Sequence, residues 1–194
     1  MNGQQKFLKK IVEALNGAGI QYMISGSIGS SFHGWPRATK DADIVIVADD
    51  KQLCDFARSL GEDYYISLDA ARDALNHNSM FNVIDIQASW KADLIIRKNR
   101  PFSREEFQRR QKIKMSGADL WILSPEDAIL SKLEWSKDRD STQQFQDALG
   151  IAIIHIERLD MDYLNKWAKE LGIESSLQKL LKASKESKNG KLGT

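Results

Sequence analysis

Ile24-Ser25-Gly26-Ser27, then His33-Gly34, then Arg37-Ala38-Thr39-Lys40-Asp41-Ala42-Asp43, and finally Ile44-Val45-Ile46-Val47: the reading of this stretch decides the fold. It carries two chemical devices. The first is a small-residue turn after the apolar segment Tyr22-Met23-Ile24. Gly26 and Ser27 let the backbone bend tightly, and Ser27-Ile28-Gly29-Ser30 can open a helix whose N–H groups face an anion such as phosphate. The second is a pair of carboxylates, Asp41 and Asp43, at the entrance of an apolar strand. Strand alternation puts both on one face, with Cα atoms roughly 6.6 Å apart.

Ile44-Val45-Ile46-Val47 is a continuous apolar run, the pattern of a strand covered on both faces. Two like charges leading into such a strand repel each other and resist desolvation unless a cation joins them. A hard cation such as Mg²⁺ is held by one or two carboxylates plus substrate phosphates, and this arrangement offers the carboxylates.

Taken together, Gly26-Ser27, His33-Gly34 and Arg37-x-Thr39-x-Asp41-x-Asp43 resemble the nucleotidyltransferase superfamily, the polymerase-beta-like fold. The branch they are most similar to is the small bacterial one that includes the abortive-infection nucleotidyltransferase toxins. The match is dense over residues 22–47 and looser as far as residue 135. The resemblance implies an α+β (mixed α/β) fold, a mixed sheet with flanking helices and a C-terminal helical appendage. It also implies transfer of a nucleoside monophosphate from an NTP, ATP among them, to a hydroxyl acceptor with release of pyrophosphate.

The expected cofactor is Mg²⁺ in a two-ion site, with Mn²⁺ as an alternative. The acceptor stays open among RNA, protein and small molecule. A cognate antitoxin or toxin is a further partner the resemblance implies. The rival reading is a non-catalytic nucleotide-sensing or partner-binding domain of a toxin–antitoxin or defence system.

The rest of the chain frames this. At 194 residues with 42% hydrophobic content, the chain can bury a sizeable core, and a net charge of +1 argues against a dedicated polyanion binder. The single cysteine, Cys54, excludes an internal disulfide framework and reads as a structural thiol. No apolar run approaches the ~20 residues of a membrane span, and no signal-peptide core precedes the first helix, so the expectation is a cytoplasmic protein. Zinc-ligand spacing, a Walker loop and a Ser-His-Asp order are all missing.

Periodicity predicts a helix through Phe7, Leu8, Ile11, Val12 and Leu15, a strand over 20–24, a helix over 51–60 and a short strand at 64–66. A helix over 68–75 and a hairpin of 80–86 with 90–96 follow. Asp93 sits at the mouth of Leu94-Ile95-Ile96 much as Asp43 precedes Ile44, so neighbouring strands would add a third carboxylate. In the family resembled, the third acid follows such a Lys-x-Asp pattern, here Lys91-Ala92-Asp93, and is the candidate base for the acceptor hydroxyl. Asp85 is the fallback.

Ser103-Arg104-Glu105-Glu106 reads as a capping box opening a basic helix through Gln111, with Arg104, Arg109, Arg110, Lys112 and Lys114 as either an RNA-attracting run or a solvated face. A strand over 120–123 and a helix from Ser124-Pro125-Glu126-Asp127 come next. Lys132-Leu133 matches a pair frequent in the family, so Lys132 either reaches nucleotide phosphates or faces solvent. Arg37 and Thr39 flank the carboxylates as nucleotide-binding candidates, and His33 reads as a backbone-bonding histidine. Three further helices are predicted: one over 142–156, one capped by Leu159-Asp160-Met161-Asp162 and stopped by Gly172, and one over 174–181. The expected organisation is a core over 1–123, a helical region over 124–183 packed on it, and a disordered tail over 184–194.

Overall fold

The structure, a computed structural model, describes residues 3–115, 117–139 and 141–190. It is a mixed α/β protein divided into two compact units, one of Met1–Ser25 with Ala38–Ile122, the other of Gly26–Arg37 with Leu123–Thr194.

The first unit holds the sheet. Its strands are β1 (Gln21–Ile24), β2 (Asp41–Val47), β3 (Tyr64–Ile66), β4 (Met80–Asp85), β5 (Lys91–Ile96), β6 (Gln111–Met115) and β7 (Ala118–Ile122), in the order β3-β4-β5-β2-β1-β7-β6. The β2–β5 and β1–β7 pairs are parallel and the other four are antiparallel, so the sheet is mixed. Ala42, Ile44 and Ile46 of β2 and Ala92, Leu94 and Ile96 of β5 are all buried. That row forms one face, and alternation sends Asp41, Asp43, Lys91 and Asp93 to the other.

The helices of this unit are α1 (Gly3–Gly17), α3 (Asp50–Leu60), α4 (Leu68–His77) and α5 (Pro101–Gln108). In α1 the residues predicted to be apolar-facing, Phe7, Leu8, Ile11, Val12 and Leu15, are buried. Asp49 and Gln52 close a reciprocal capping box at the start of α3. Ser67 caps α4, and Asn78 ends it in the left-handed conformation that short amide side chains tolerate.

The cationic run departs from the sequence reading. The helix starts earlier, because Pro101 at the first helical position has its φ preset and forces Arg100 to stay extended as the N-cap. Ser103 is therefore interior and buried, and it accepts a hydrogen bond from Arg100 Nε at 2.9 Å instead of capping. The helix ends at Gln108, and Lys112 and Lys114 belong to β6, an edge strand. Lysines on an edge strand discourage pairing with another chain, and the single basic helix face expected over 104–114 does not form.

The second unit is helical: α2 (Gly26–His33), α6 (Pro125–Arg139), α7 (Thr142–His155), α8 (Met161–Leu171) and α9 (Glu174–Gly190). Thus α2, which lies between β1 and β2 in sequence, belongs with the C-terminal helices. Asp160 caps α8, and Gly172 at φ 64° ends it. Trp167 is buried, as expected of a core aromatic. Where the sequence reading stops the last helix at 181 and expects a disordered tail, α9 continues to Gly190. Leu180, Leu181 and Ser184 are buried on it, and Lys188 pairs with Glu157, so tertiary contacts extend a weakly periodic segment. Residues 191–194 of the expected tail lie outside the described residues. Among those described, no helix is long and apolar enough to cross a membrane.

Candidate active site

In the first unit the parallel β2–β5 register pairs Asp41 with Lys91, Ala42 with Ala92 and Asp43 with Asp93. Adjacent strands lie about 4.8 Å apart, so partners in register project side by side from one face. Asn82 is the register partner of Asp93 on the next strand, β4. At the other end of the row, Ser25 donates its backbone N–H to the Asp43 carbonyl at 2.9 Å. The result is a polar row, Asn82–Asp93–Asp43–Ser25, across β4, β5, β2 and the residue following β1, with Asp41 two residues before Asp43.

A positive charge is seated among these acids. Lys91 Nζ lies 3.1 Å from Asp93 Oδ1 and 3.7 Å from Asp41 Oδ1. Asn82 Nδ2 also donates to Asp93. Partial burial pulls the Lys91 ammonium down, but its hydrogen bond to Asp93 and the charges of Asp93 and Asp41 outweigh this and hold its pKa above the ordinary value. Among the described residues no group of three or more His, Cys, Asp or Glu side chains is gathered as a ready ligand set. The donor chemistry still fits a divalent cation. Carboxylates from neighbouring strands share one face, they offer only oxygen, and they already draw a cationic group to themselves.

The second unit holds Gly26, Ser27, Arg37 and Lys132. Gly26 opens α2 with φ 55°, a conformation that favours glycine. Arg37 donates to the Ser27 hydroxyl. Arg37 Nε also lies 3.3 Å from Asp147 Oδ1, and Lys132 Nζ lies 2.9 Å from Asp147 Oδ2. Lys132 does not face solvent: its side chain is 9% exposed and that of Asp147 is 7% exposed. Gln143 donates a further bond to Asp147 at 2.8 Å. Burial alone would raise the Asp147 pKa, but the bonds from Lys132 and Gln143 and the charges of Lys132 and Arg37 reverse this and lower it. Two cations held by one buried carboxylate, with the Ser27 hydroxyl bonded to one of them, make a group suited to binding an anion.

The structure thus places Asp41, Asp43 and Asp93 on one sheet face of the first unit, and Ser27, Arg37 and Lys132 in the second. Thr39 belongs to neither cluster. Its hydroxyl bonds the Asp41 carbonyl at 3.2 Å while Gln4 donates to its own carbonyl at 2.8 Å, fixing the entry to β2. Asp85, the fallback acid, caps the β4–β5 turn by accepting from the backbone of Gln87 and Ala88. His33 is buried with Nε2 2.8 Å from the Leu123 carbonyl, a backbone-bonding role. Lys91, Asn82 and Asp147 were passed over by sequence reasoning as separate contributors. Lys91 and Asn82 become visible only once strand register is known, and Asp147 lies on α7 beside the apolar run Ala148–Ala152, where a buried acid has no local signal.

Among solved structures, the antibiotic-resistance factor ANT(2'')-Ia is similar in fold, with a TM-score of 0.55 at 12% identity over 99% of this chain and 96% of that one. A structure of the lincosamide antibiotic adenylyltransferase LnuA with lincomycin bound matches with a TM-score of 0.55 at 13% identity, over 79% of this chain and 99% of that one. An antigenic nucleotidyltransferase-like protein from Paracoccidioides brasiliensis matches with a TM-score of 0.56 at 16% identity, over 93% of each chain. No curated protein matches the sequence. The profile of a family described as "Nucleotidyltransferase of unknown function (DUF6036)" matches residues 11–185, and the chain belongs to that family.

Proposed function

We propose that this nucleotidyltransferase moves a nucleoside monophosphate from an NTP to a hydroxyl acceptor, releases pyrophosphate, and needs a divalent cation, Mg²⁺ or Mn²⁺, to do so. The observation that carries the reading is the Asp43–Asp93 register pairing with Asp41 on the same face. These three carboxylates would hold the cation. Bound there, it supplies Lewis-acid charge that offsets the charge developing on the phosphoryl oxygens.

This chain's own residues do the rest. The opening N–H groups of a helix have no partner within it, so those following Gly26, with the Ser27 hydroxyl, suit phosphate oxygens. Arg37 and Lys132 supply positive charge to phosphate bound at that helix opening, and Asp147 holds both in place. Thr39 contributes by shaping the approach to Asp41. Asp93 takes the proton of the acceptor hydroxyl as the new oxygen–phosphorus bond forms and the bond from the α-phosphorus to pyrophosphate breaks.

ATP is the first nucleotide to try, because LnuA is described as an adenylyltransferase and ANT(2'')-Ia has been solved in complex with adenylyl-2''-tobramycin. The test is incubation with each α-³²P-labelled NTP, a divalent cation and a cell extract. Label should appear on an acceptor with wild type and not with Asp43→Asn. Equal labelling by the variant would overturn the assignment of the acids.

One observation favours a second reading, nucleotide binding without turnover. The carboxylates already have a cation of their own in Lys91. That reading predicts calorimetric NTP binding with no pyrophosphate release under any cation.

A further inference from the structure

Lys91 has no part in the chemistry proposed above, yet it occupies the position where that chemistry places a cation. Its ammonium lies 3.1 Å from Asp93 Oδ1, 3.2 Å from Asp93 Oδ2 and 3.7 Å from Asp41 Oδ1. The parallel register makes Lys91 the partner of Asp41, so backbone pairing aims it at these acids. An ammonium and a divalent cation repel each other, and the same carboxylate oxygens cannot serve both at full strength.

We infer that Lys91 is a displaceable counter-ion. It holds Asp41 and Asp93 when no nucleotide is present and yields them to the divalent cation only when a polyphosphate arrives to receive the released ammonium. The inference rests on the reading of these acids as the cation site.

Three further features fit exchange rather than a permanent ion pair. The Lys91 side chain is 34% exposed on a flexible four-carbon stem, so it can swing without disturbing the core. Asn82 donates independently to Asp93, which keeps that carboxylate oriented after Lys91 leaves. Two carboxylates, Asp93 and Asp41, against one ammonium also leave a negative charge in surplus among these three groups, which attracts an incoming divalent ion. The consequence is coupling: cation alone competes poorly with Lys91, whereas cation and nucleotide support each other's binding.

The test measures Mn²⁺ binding by the electron paramagnetic resonance signal of the free ion. Wild type and Lys91→Met are compared, with and without the non-reactive α,β-methylene analogue of ATP. Without nucleotide, Lys91→Met should bind Mn²⁺ about tenfold more tightly than wild type, since a competing positive charge is gone. The enhancement by nucleotide should be large in wild type and small in the variant. Equal Mn²⁺ affinity in the two proteins would overturn displacement while leaving the cation site standing. No Mn²⁺ binding by either, even with nucleotide, would overturn the site itself and displacement with it.

Should Lys91→Met fail to fold, wild type can be reductively methylated with ¹³C, which keeps the lysine charge. The Lys91 signal, assigned by its loss in Lys91→Arg, should move on addition of Mg²⁺ with the nucleotide analogue and much less with Mg²⁺ alone. A signal unmoved by the combination would also overturn displacement.

Discussion

Asp43 and Asp93 are register partners on the parallel strands β2 and β5, although fifty positions separate them in sequence (93 − 43). Two carboxylates held side by side by backbone hydrogen bonds cannot drift apart to relieve their repulsion. Their proximity is therefore a cost the fold carries. Asp43→Asn should leave the fold intact, with unfolding free energy within about 1 kcal/mol of wild type because a like charge is removed from a crowded row. Nucleotidyl transfer should fall by a factor of about 10² or more, the scale of losing a group that acts on the reacting phosphate. Chemical denaturation and the label assay on one preparation check both halves.

Asp147 is the carboxylate that both Arg37 and Lys132 face. Asp147→Asn should cost about 3 kcal/mol of stability at neutral pH, because the nearly buried Lys132 then lacks its counter-charge. The lowered pKa of Asp147 also fixes a pH dependence. The unfolded chain takes up the proton first, so the stabilisation is complete above the unfolded value of about 3.9 and is lost as pH falls through the lower folded value. Urea denaturation of the variant across that acid range should show a flatter pH profile than wild type.

How far the site was legible follows from these two residues. The Asp41–Asp43 pair and the Gly26-Ser27 turn are local patterns, readable because strand and helix geometry act over a few residues. Asp93 was legible by analogy, as a second acid at the mouth of a second apolar run. Its pairing with Asp43 depends on register, which parallel strands fix through a long crossover and not through a turn. Asp147 was not legible at all, since nothing within a turn of it marks a buried acid. The edge strand β6 was misread as helix although Ile113 and Met115 alternate with exposed Lys112 and Lys114, because the run was read by its charge and as a continuation of the helix before it.

His33 offers a second pH test. It is buried, and burial lowers its pKa, opposed by the hydrogen bond to the Leu123 carbonyl and by the charge of Glu126, with His155 pushing further down. His155 also approaches from α7, with Nε2 3.0 Å from the His33 carbonyl. The folded state therefore favours neutral His33. This contribution is complete above the unfolded value of about 6.5 and is lost as pH falls through the depressed folded value. His33→Gln should lose that mildly acidic dependence, measured as midpoint shifts in urea at a series of pH values.

Asp127 tests the packing of the helical unit. It is fully buried, with Oδ1 accepting from the Tyr163 hydroxyl at 2.6 Å and Oδ2 from the Ser124 hydroxyl at 2.6 Å. Tyr163→Phe should destabilise by about 2 kcal/mol, the scale of weakening the bonding of a buried charged group. A thermal midpoint equal to wild type would count against this bond.

The most direct measurement is a crystal structure with Mn²⁺ and the α,β-methylene analogue of ATP, with anomalous diffraction used to locate the metal. The account predicts an anomalous peak bonded to Asp43 and to Asp41 or Asp93, with the Lys91 ammonium moved off those carboxylates. A peak elsewhere, or nucleotide bound while Lys91 still bridges Asp41 and Asp93 with no ion beside Asp43, would contradict it.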